Sequence, residues 1–183
     1  EFLEAFACPR AANLARRVEA RVEHGVHRDA VGLTAVDGIG PARARTLATG
    51  GLHSPAEVAD AGAAELRRAG LSEGVADRVV ENARTFPAID VAWEGFPDAI
   101  ASGQNRMCEV AVRNDGGGAS TGIRVTVNGV EMTATETYLT DSATLPVGVF
   151  GADADELEFT VEVTFPDEPL HPVRATRTVD VAE

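Results

Sequence analysis

The residues with the clearest chemical potential form one run, Leu33-Thr34-Ala35-Val36-Asp37-Gly38-Ile39-Gly40-Pro41-Ala42-Arg43-Ala44-Arg45-Thr46-Leu47-Ala48. Leu33 and Val36 close one apolar-faced helical stretch, and Ala44, Leu47 and Ala48 begin the next. Between them Gly38-Ile39-Gly40 is expected to make a hairpin too tight for a β-carbon at either glycine, with φ > 0 at one and Ile39 plugging the cleft. Gly40, Pro41 and Ala42 then form a helix N-terminus. Such an end carries unpaired N–H groups and a partial positive charge, so the chemistry it suits is phosphate binding. Small residues let a sugar-phosphate backbone approach, and Arg43 and Arg45 add charge-assisted hydrogen bonds. Contacts of this kind read no bases, so binding should be independent of sequence.

A degenerate copy follows at Leu66-Arg67-Arg68-Ala69-Gly70-Leu71-Ser72-Glu73-Gly74-Val75-Ala76. Ser72 replaces the second glycine and Glu73 would repel phosphate, so this copy is read as structural, completing a paired hairpin unit. Other strings that imitate active sites fail on context. Gly38-x-Gly40 lacks the third glycine and the preceding strand of a dinucleotide fingerprint. Gly118-Ala119-Ser120-Thr121-Gly122 spells a hydrolase elbow but is expected in a glycine loop between strands. His24 and His27 have no third ligand, and Asp153-Ala154-Asp155-Glu156 lacks the glycine and final Glu of a calcium loop. Cys8 and Cys108 show no metal or redox spacing and read as small buried side chains. All 16 basic residues are Arg. Without Lys there is no phosphate-loop lysine, Schiff base or lysine general base, and no nucleophile–base pair or metal cluster stands out, so no enzyme is expected and no cofactor is assigned to the chain.

The elements that position the hairpin follow from periodicity. Leu14, Val18, Val22 and Val26 recur every four residues, the stripe of an amphipathic helix ending near Gly25, with Arg16, Arg17, Arg21, Glu19 and Glu23 on its other faces. A short helix is expected over 28–35. Ser54-Pro55-Ala56-Glu57 is a capping-box start, and Ser72-Glu73 opens a last helix with Val75, Val79, Val80 and Ala83 on its inner face. Beyond Phe86-Pro87 the pattern changes to period two. Seven strands are expected near 88–94, 107–114, 121–128, 130–138, 143–150, 157–165 and 173–181, with turns at Asn114-Asp115-Gly116-Gly117-Gly118 and Asn128-Gly129. The fold class is therefore α+β as two domains: an all-α hairpin domain, then an all-β immunoglobulin- or fibronectin-like sandwich. The expected divisions are 1–27, 28–86 and 87–183. The start at Glu1 without Met reads as an excised fragment. No apolar run suggests a leader or a membrane span, so the expected location is cytoplasmic.

The run from Leu33 to Ala48 resembles the helix-hairpin-helix pattern at every glycine and apolar position. With the preceding Leu14-Ala15-Arg16-Arg17-Val18, Arg21-Val22-Glu23-His24-Gly25-Val26 and Ala30-Val31-Gly32-Leu33, residues 14–84 resemble the end of an archaeal superfamily-two repair helicase, where the last helix of a ratchet domain leads into a hairpin domain. The order ratchet tail, hairpin domain, immunoglobulin-like domain is similar to the C-terminal unit of spliceosomal unwinding helicases. The resemblance implies a clamp or brake on single-stranded or forked nucleic acid, DNA favoured over RNA, leaving motor domains of the same protein that hold ATP and Mg. It also places Arg16, Arg17 and Arg21 at the ratchet tail's basic positions. A solvated, salt-bridged face is an equal reading of those three. The competing function is a protein-interaction module in which the hairpin unit is a vestigial spacer.

Charge adds an expectation about environment. Residues 1–86 hold 12 Asp/Glu and 11 Arg, a net of −1, whereas residues 87–183 hold 17 Asp/Glu and 5 Arg, a net of −12. A carboxylate-rich surface without Lys suits near-saturating salt and a haloarchaeal source, although a GC-rich genome would also write Arg for Lys. Self-repulsion of the second half reaches about 30 Å at 0.01 M salt and about 3 Å at 1 M. The thermal midpoint should therefore rise steeply with KCl in a melting series; a midpoint flat from dilute buffer to molar salt would remove the case for a halophile.

Overall fold

The computed structural model describes residues 9–151 and 154–182; Cys8 and Asp153 lie outside them. Helix α1 (Pro9–His24) is followed by two 3₁₀ turns (Arg28–Ala30 and Gly32–Ala35) and by helices α2 (Pro41–Thr49), α3 (Pro55–Arg68) and α4 (Glu73–Ala83). The single helix expected over 28–35 is thus two 3₁₀ turns. Gly32 lies at their junction, against the His53 carbonyl and the Leu170 and His171 side chains, and a glycine in so short a segment does not propagate an α-helix. The α3 capping box forms as expected, with the Ser54 hydroxyl accepting the Glu57 amide and the Glu57 carboxylate accepting the Ser54 amide. The helix breaks at Gly62, where φ is 71°. Val31, Leu33, Val36, Ile39, Leu47, Val58, Leu66 and Val79 make the helical core.

The second half is a two-sheet sandwich. Strands β1 (Ile89–Glu94), β3 (Asn105–Asn114) and β6 (Ser142–Phe150) make one sheet in the order β1-β3-β6. The other has the order β2-β8-β7-β4-β5, from β2 (Ala99–Ala101), β4 (Ala119–Val127), β5 (Val130–Leu139), β7 (Glu156–Thr164) and β8 (Val173–Ala182). All seven expected strands are present; the eighth, β2, has three residues and pairs parallel with β8. Asn128 and Gly129 both take positive φ, 47° and 80°, as a two-residue hairpin turn requires. Val110, Val112, Val147 and Val149 face Ile123, Val125, Phe159, Val161 and Val163 across the core. Ser120 lies inside β4, so the hydrolase-like string has no strand-to-helix elbow.

Helix α1 reverses the sequence expectation. Leu14, Val18 and Val22 are 58%, 48% and 80% exposed, and only Val26, beyond the helix, is buried. Its inner face carries Ala12, Asn13 and Ala20 instead. The cause is the sandwich beneath it. Asn13, 1% exposed, donates from Nδ2 to the carbonyls of Phe165 (2.8 Å), Glu168 (3.0 Å) and Leu170 (3.0 Å) in the β7–β8 connection. The Pro9 ring fills the space over Gly122 that a β-carbon would need. Arg10 reaches the buried Glu162 carboxylate at 2.6 Å, which Arg174 and Arg124 also approach.

The chain's crossing between the two halves is held as well. Gly117 N–H donates to the Phe86 carbonyl at 2.9 Å, and Asp115 N–H to that of Ala88 at 2.9 Å. A β-carbon at Gly116 or Gly117 would overlap the backbone of Thr85 and Phe86. The glycine run read as a turn is therefore a close cover for the crossing, and Phe86 packs against both cores. If Asn13 fixes α1, Asn13→Ala should lower unfolding free energy by about 1–3 kcal/mol, the range for orphaning buried hydrogen-bonding groups. Asn13→Asp, which sets a carboxylate against three carbonyls, should lower it more at neutral pH. Denaturant melts at one molar KCl concentration measure both, and parental stability of the Asp variant would contradict the assignment.

Candidate nucleic-acid interface

The two hairpins are built alike but end differently. Gly38 takes φ +93° and Gly70 takes φ +96°, so each turn needs a residue that tolerates the left-handed region. Ile39 and Leu71 then turn inward and are buried. After them Gly40 caps α2 and Ser72 caps α4. Gly40 differs from the sequence expectation: its φ is −78° and nothing lies within 4 Å of an added β-carbon. Only Gly38 is required by the turn, where a β-carbon would also meet Val79 at 3.1 Å.

The N-terminus of α2 stands out from the two that follow. Gly40 provides no side-chain cap and the first turn holds no acidic residue. By contrast, α3 is closed by its capping box, and α4 carries Glu73 in its first turn, paired with Arg67 at 3.3 Å. The first intrahelical bond of α2 runs from the Ala44 amide to the Gly40 carbonyl at 3.0 Å. Pro41 has no N–H, so the Ala42 and Arg43 amides precede that bond at a small-residue surface. Gly38, Ile39, Gly40, Pro41, Ala42, Arg43 and Arg45 are thereby gathered at one end of the helical unit.

The arginines divide into two groups. Arg43 donates from Nη1 to the Gly38 carbonyl (2.8 Å) and Arg45 from Nη2 to the Gly25 carbonyl (3.2 Å), both at exposed positions. Arg45 thus reaches the end of α1, one turn beyond the exposed Arg21. Arg16 approaches Glu19 at 3.7 Å. Arg17 turns to the sandwich, where Nη2 lies 2.9 Å from His171 Nδ1. Burial, followed by the nearby Arg21 and Arg174 charges, lowers its pKa. Among the positions the resemblance implied on α1, Arg17 is therefore an interdomain contact. Two supports of the hairpin lie outside the sequence expectation. Asn82 on α4 donates to the Asp37 carbonyl at 2.9 Å, and Arg45 ties α2 to α1. Neither contact has a sequence signal, since each pairs a polar side chain with a distant carbonyl.

These features define a helix-hairpin-helix unit of two stacked hairpins followed by an immunoglobulin-like sandwich. Residues 31–85 match the family described as SAM-like helix-hairpin-helix tandem, in which the degenerate second copy finds its place. No curated protein sequence matches the chain. Among solved structures, the chain is similar to the CARDB domain of a Pyrococcus furiosus protein in complex with di-metal ions, at 24% identity and TM-score 0.44, over 53% of this chain and 90% of that one. A β-glucosidase from Listeria innocua is similar at 12% identity and TM-score 0.35, over 52% of this chain and 16% of its own. Among the described residues no helix is long and apolar enough to cross a membrane.

The two hairpin glycines should respond oppositely to substitution. Gly38→Ala forces a side chain into the left-handed region, at about 1–2 kcal/mol, and presses on Val79. Gly40→Asp places a favourable N-cap residue where there is room and should leave stability equal or higher. Thermal melts of both variants check this, and equal losses would mean Gly40 is also a steric requirement.

Proposed function

We propose that this chain is a non-catalytic, nucleic-acid-binding accessory region of an ATP-dependent helicase. The hairpin unit grips the sugar-phosphate backbone of single-stranded or forked DNA without reading sequence. The observation that carries the reading is the N-terminus of α2, uncapped, free of acidic residues in its first turn and rimmed by Arg43 and Arg45. Its amides and partial positive charge suit a phosphate, and the arginines can exchange exposed carbonyl contacts for charge-assisted ones. ATP and Mg belong to motor domains outside this chain. The exposed stripe of Leu14, Val18 and Val22 supports a contact between α1 and a helical part of that motor, since helices bury such stripes against one another. The sandwich, at a net −12, is a poor nucleic-acid surface, repelling phosphate at low salt, and is assigned to docking within the parent protein or on a partner. A haloarchaeal cytoplasm is the proposed setting.

A protein-interaction module is the second reading, and one observation favours it: Arg43 and Arg45 already have partners within the chain. Fluorescence anisotropy with labelled single strands and forks, compared at one moderate salt and then over a salt series, separates the two. Gly40→Asp should abolish binding while the protein stays folded. Arg43→Ala and Arg45→Ala should weaken it alike on all sequences, each lowering the log–log salt slope by up to about 0.7 for every phosphate no longer neutralised. A folded Gly40→Asp protein that binds like the parent would make the hairpin a spacer and put the interaction module first.

A further inference from the structure

We propose that His171, in its neutral form, latches the sandwich to the helical unit, and that protonating it loosens that latch. The imidazole stands between two groups of fixed polarity. Its Nδ1 lies 2.9 Å from Arg17 Nη2 on α1, and its Nε2 lies 2.6 Å from the Arg28 main-chain carbonyl in the first 3₁₀ turn. A guanidinium only donates and a carbonyl only accepts. The ring must therefore accept at Nδ1 and donate from Nε2, which selects one neutral tautomer. An added proton on Nδ1 would point at the Arg17 donor and set two cations in contact at a half-buried site.

The surrounding charges do not rescue the protonated form. Arg17 faces the ring directly, with Arg21 and Arg174 acting on Arg17 behind it. His53, ahead of α3, disfavours the charge, whereas Asp29 and the Arg28 carbonyl favour it. Asp29 is already held by His27 at 2.9 Å and Arg28 at 3.4 Å. Burial is the largest influence, and the folded protein holds His171 below its ordinary value. The contribution to stability is accordingly full above about 6.5, the ordinary histidine value. It declines as pH falls from there through the folded-state value.

The position of the ring gives the latch its reach. His171 belongs to the β7–β8 connection that Asn13 binds through Phe165, Glu168 and Leu170. Its partners sit on α1 and on the first of the two 3₁₀ turns that precede the Gly38–Gly40 hairpin. Gly32 packs against Leu170 and His171 on the same side. One ring thus touches the sandwich, the bridging helix and the entry to the hairpin unit.

The test is calorimetry of the whole chain in molar KCl at pH 7.5 and pH 5, with His171→Gln alongside, and nitrogen NMR of the histidine rings. The wild type should unfold in one transition at pH 7.5 and in two at pH 5. His171→Gln, which cannot take up a proton, should show the same pattern at both pH values. NMR should find His171 neutral at pH 7.5 with its proton on Nε2, titrating below the ordinary histidine value of about 6.5. The latch is overturned if the wild type has the same number of transitions at both pH values. It is equally overturned if His171→Gln splits with pH as the wild type does, or if His171 carries its proton on Nδ1 or titrates at or above the ordinary histidine value of about 6.5.

Discussion

Three main-chain carbonyls in the β7–β8 connection, those of Phe165, Glu168 and Leu170, meet the single amide nitrogen of Asn13. A buried polar group left unpaired costs about 1–3 kcal/mol, whereas burying one more Leu or Val gains about 1.5–3 kcal/mol. Turning α1 to bury Leu14 and Val18 would gain on that scale but would remove the Asn13 amide from several carbonyls at once. It would also part Arg10 from the buried Glu162 carboxylate. The side of α1 that carries Ala12, Asn13 and Ala20 therefore faces inward. From that choice follow the exposed stripe, the Arg17–His171 contact and the approach of the chain to the hairpin.

This is also where the sequence is least legible. A four-residue apolar period marks a helix but does not say which neighbour covers it, and α1 lies on a domain whose strands begin more than sixty residues later. Long-range contacts set the facing, chiefly the pairing of Asn13 with residues 165–170 and of Arg10 with Glu162, and an asparagine in a helix has no pattern that announces such a role. The strands are far easier to read. Leu157, Phe159, Val161 and Val163 alternate with polar residues, and all four are buried. The strand absent from the sequence expectation, β2, is too short for alternation to register. The 28–35 segment departs from a helix for a local reason, a glycine, Gly32, at the start of its second turn.

The hairpin is legible because its residues are adjacent in the chain, and Gly38 and the apolar positions each have their own steric purpose. Gly38 has positive φ and Ile39 is buried, as the spacing implies. The same reasoning fails at Gly40, since two glycines a residue apart need not share one cause. The first is demanded by backbone conformation, and the second leaves an open surface at a helix end. That distinction separates a requirement for folding from a feature suited to a ligand. The supports from Asn82 and Arg45 are invisible in the sequence because they end on main-chain carbonyls, which every residue possesses.

Charge and geometry bear together on the proposed use of that open surface. In molar salt the Debye length is about 3 Å, so the sandwich's net −12 would neither repel a strand at the hairpin nor allow distant arginines to steer it there. The gain from releasing condensed counterions is weakened as well. What survives is short-range and directional: amides at the start of α2, and planar guanidinium groups whose donors match phosphate oxygens in pairs. On the proposed function, a junction held in one orientation has a physical purpose. Directional hydrogen bonds weaken steeply with misalignment, so a hairpin that cannot rely on long-range attraction gains most from being held in one orientation. Asn13, the Glu162 arginines and the glycine cover over Phe86 all act on that orientation, far from the surface whose geometry they preserve.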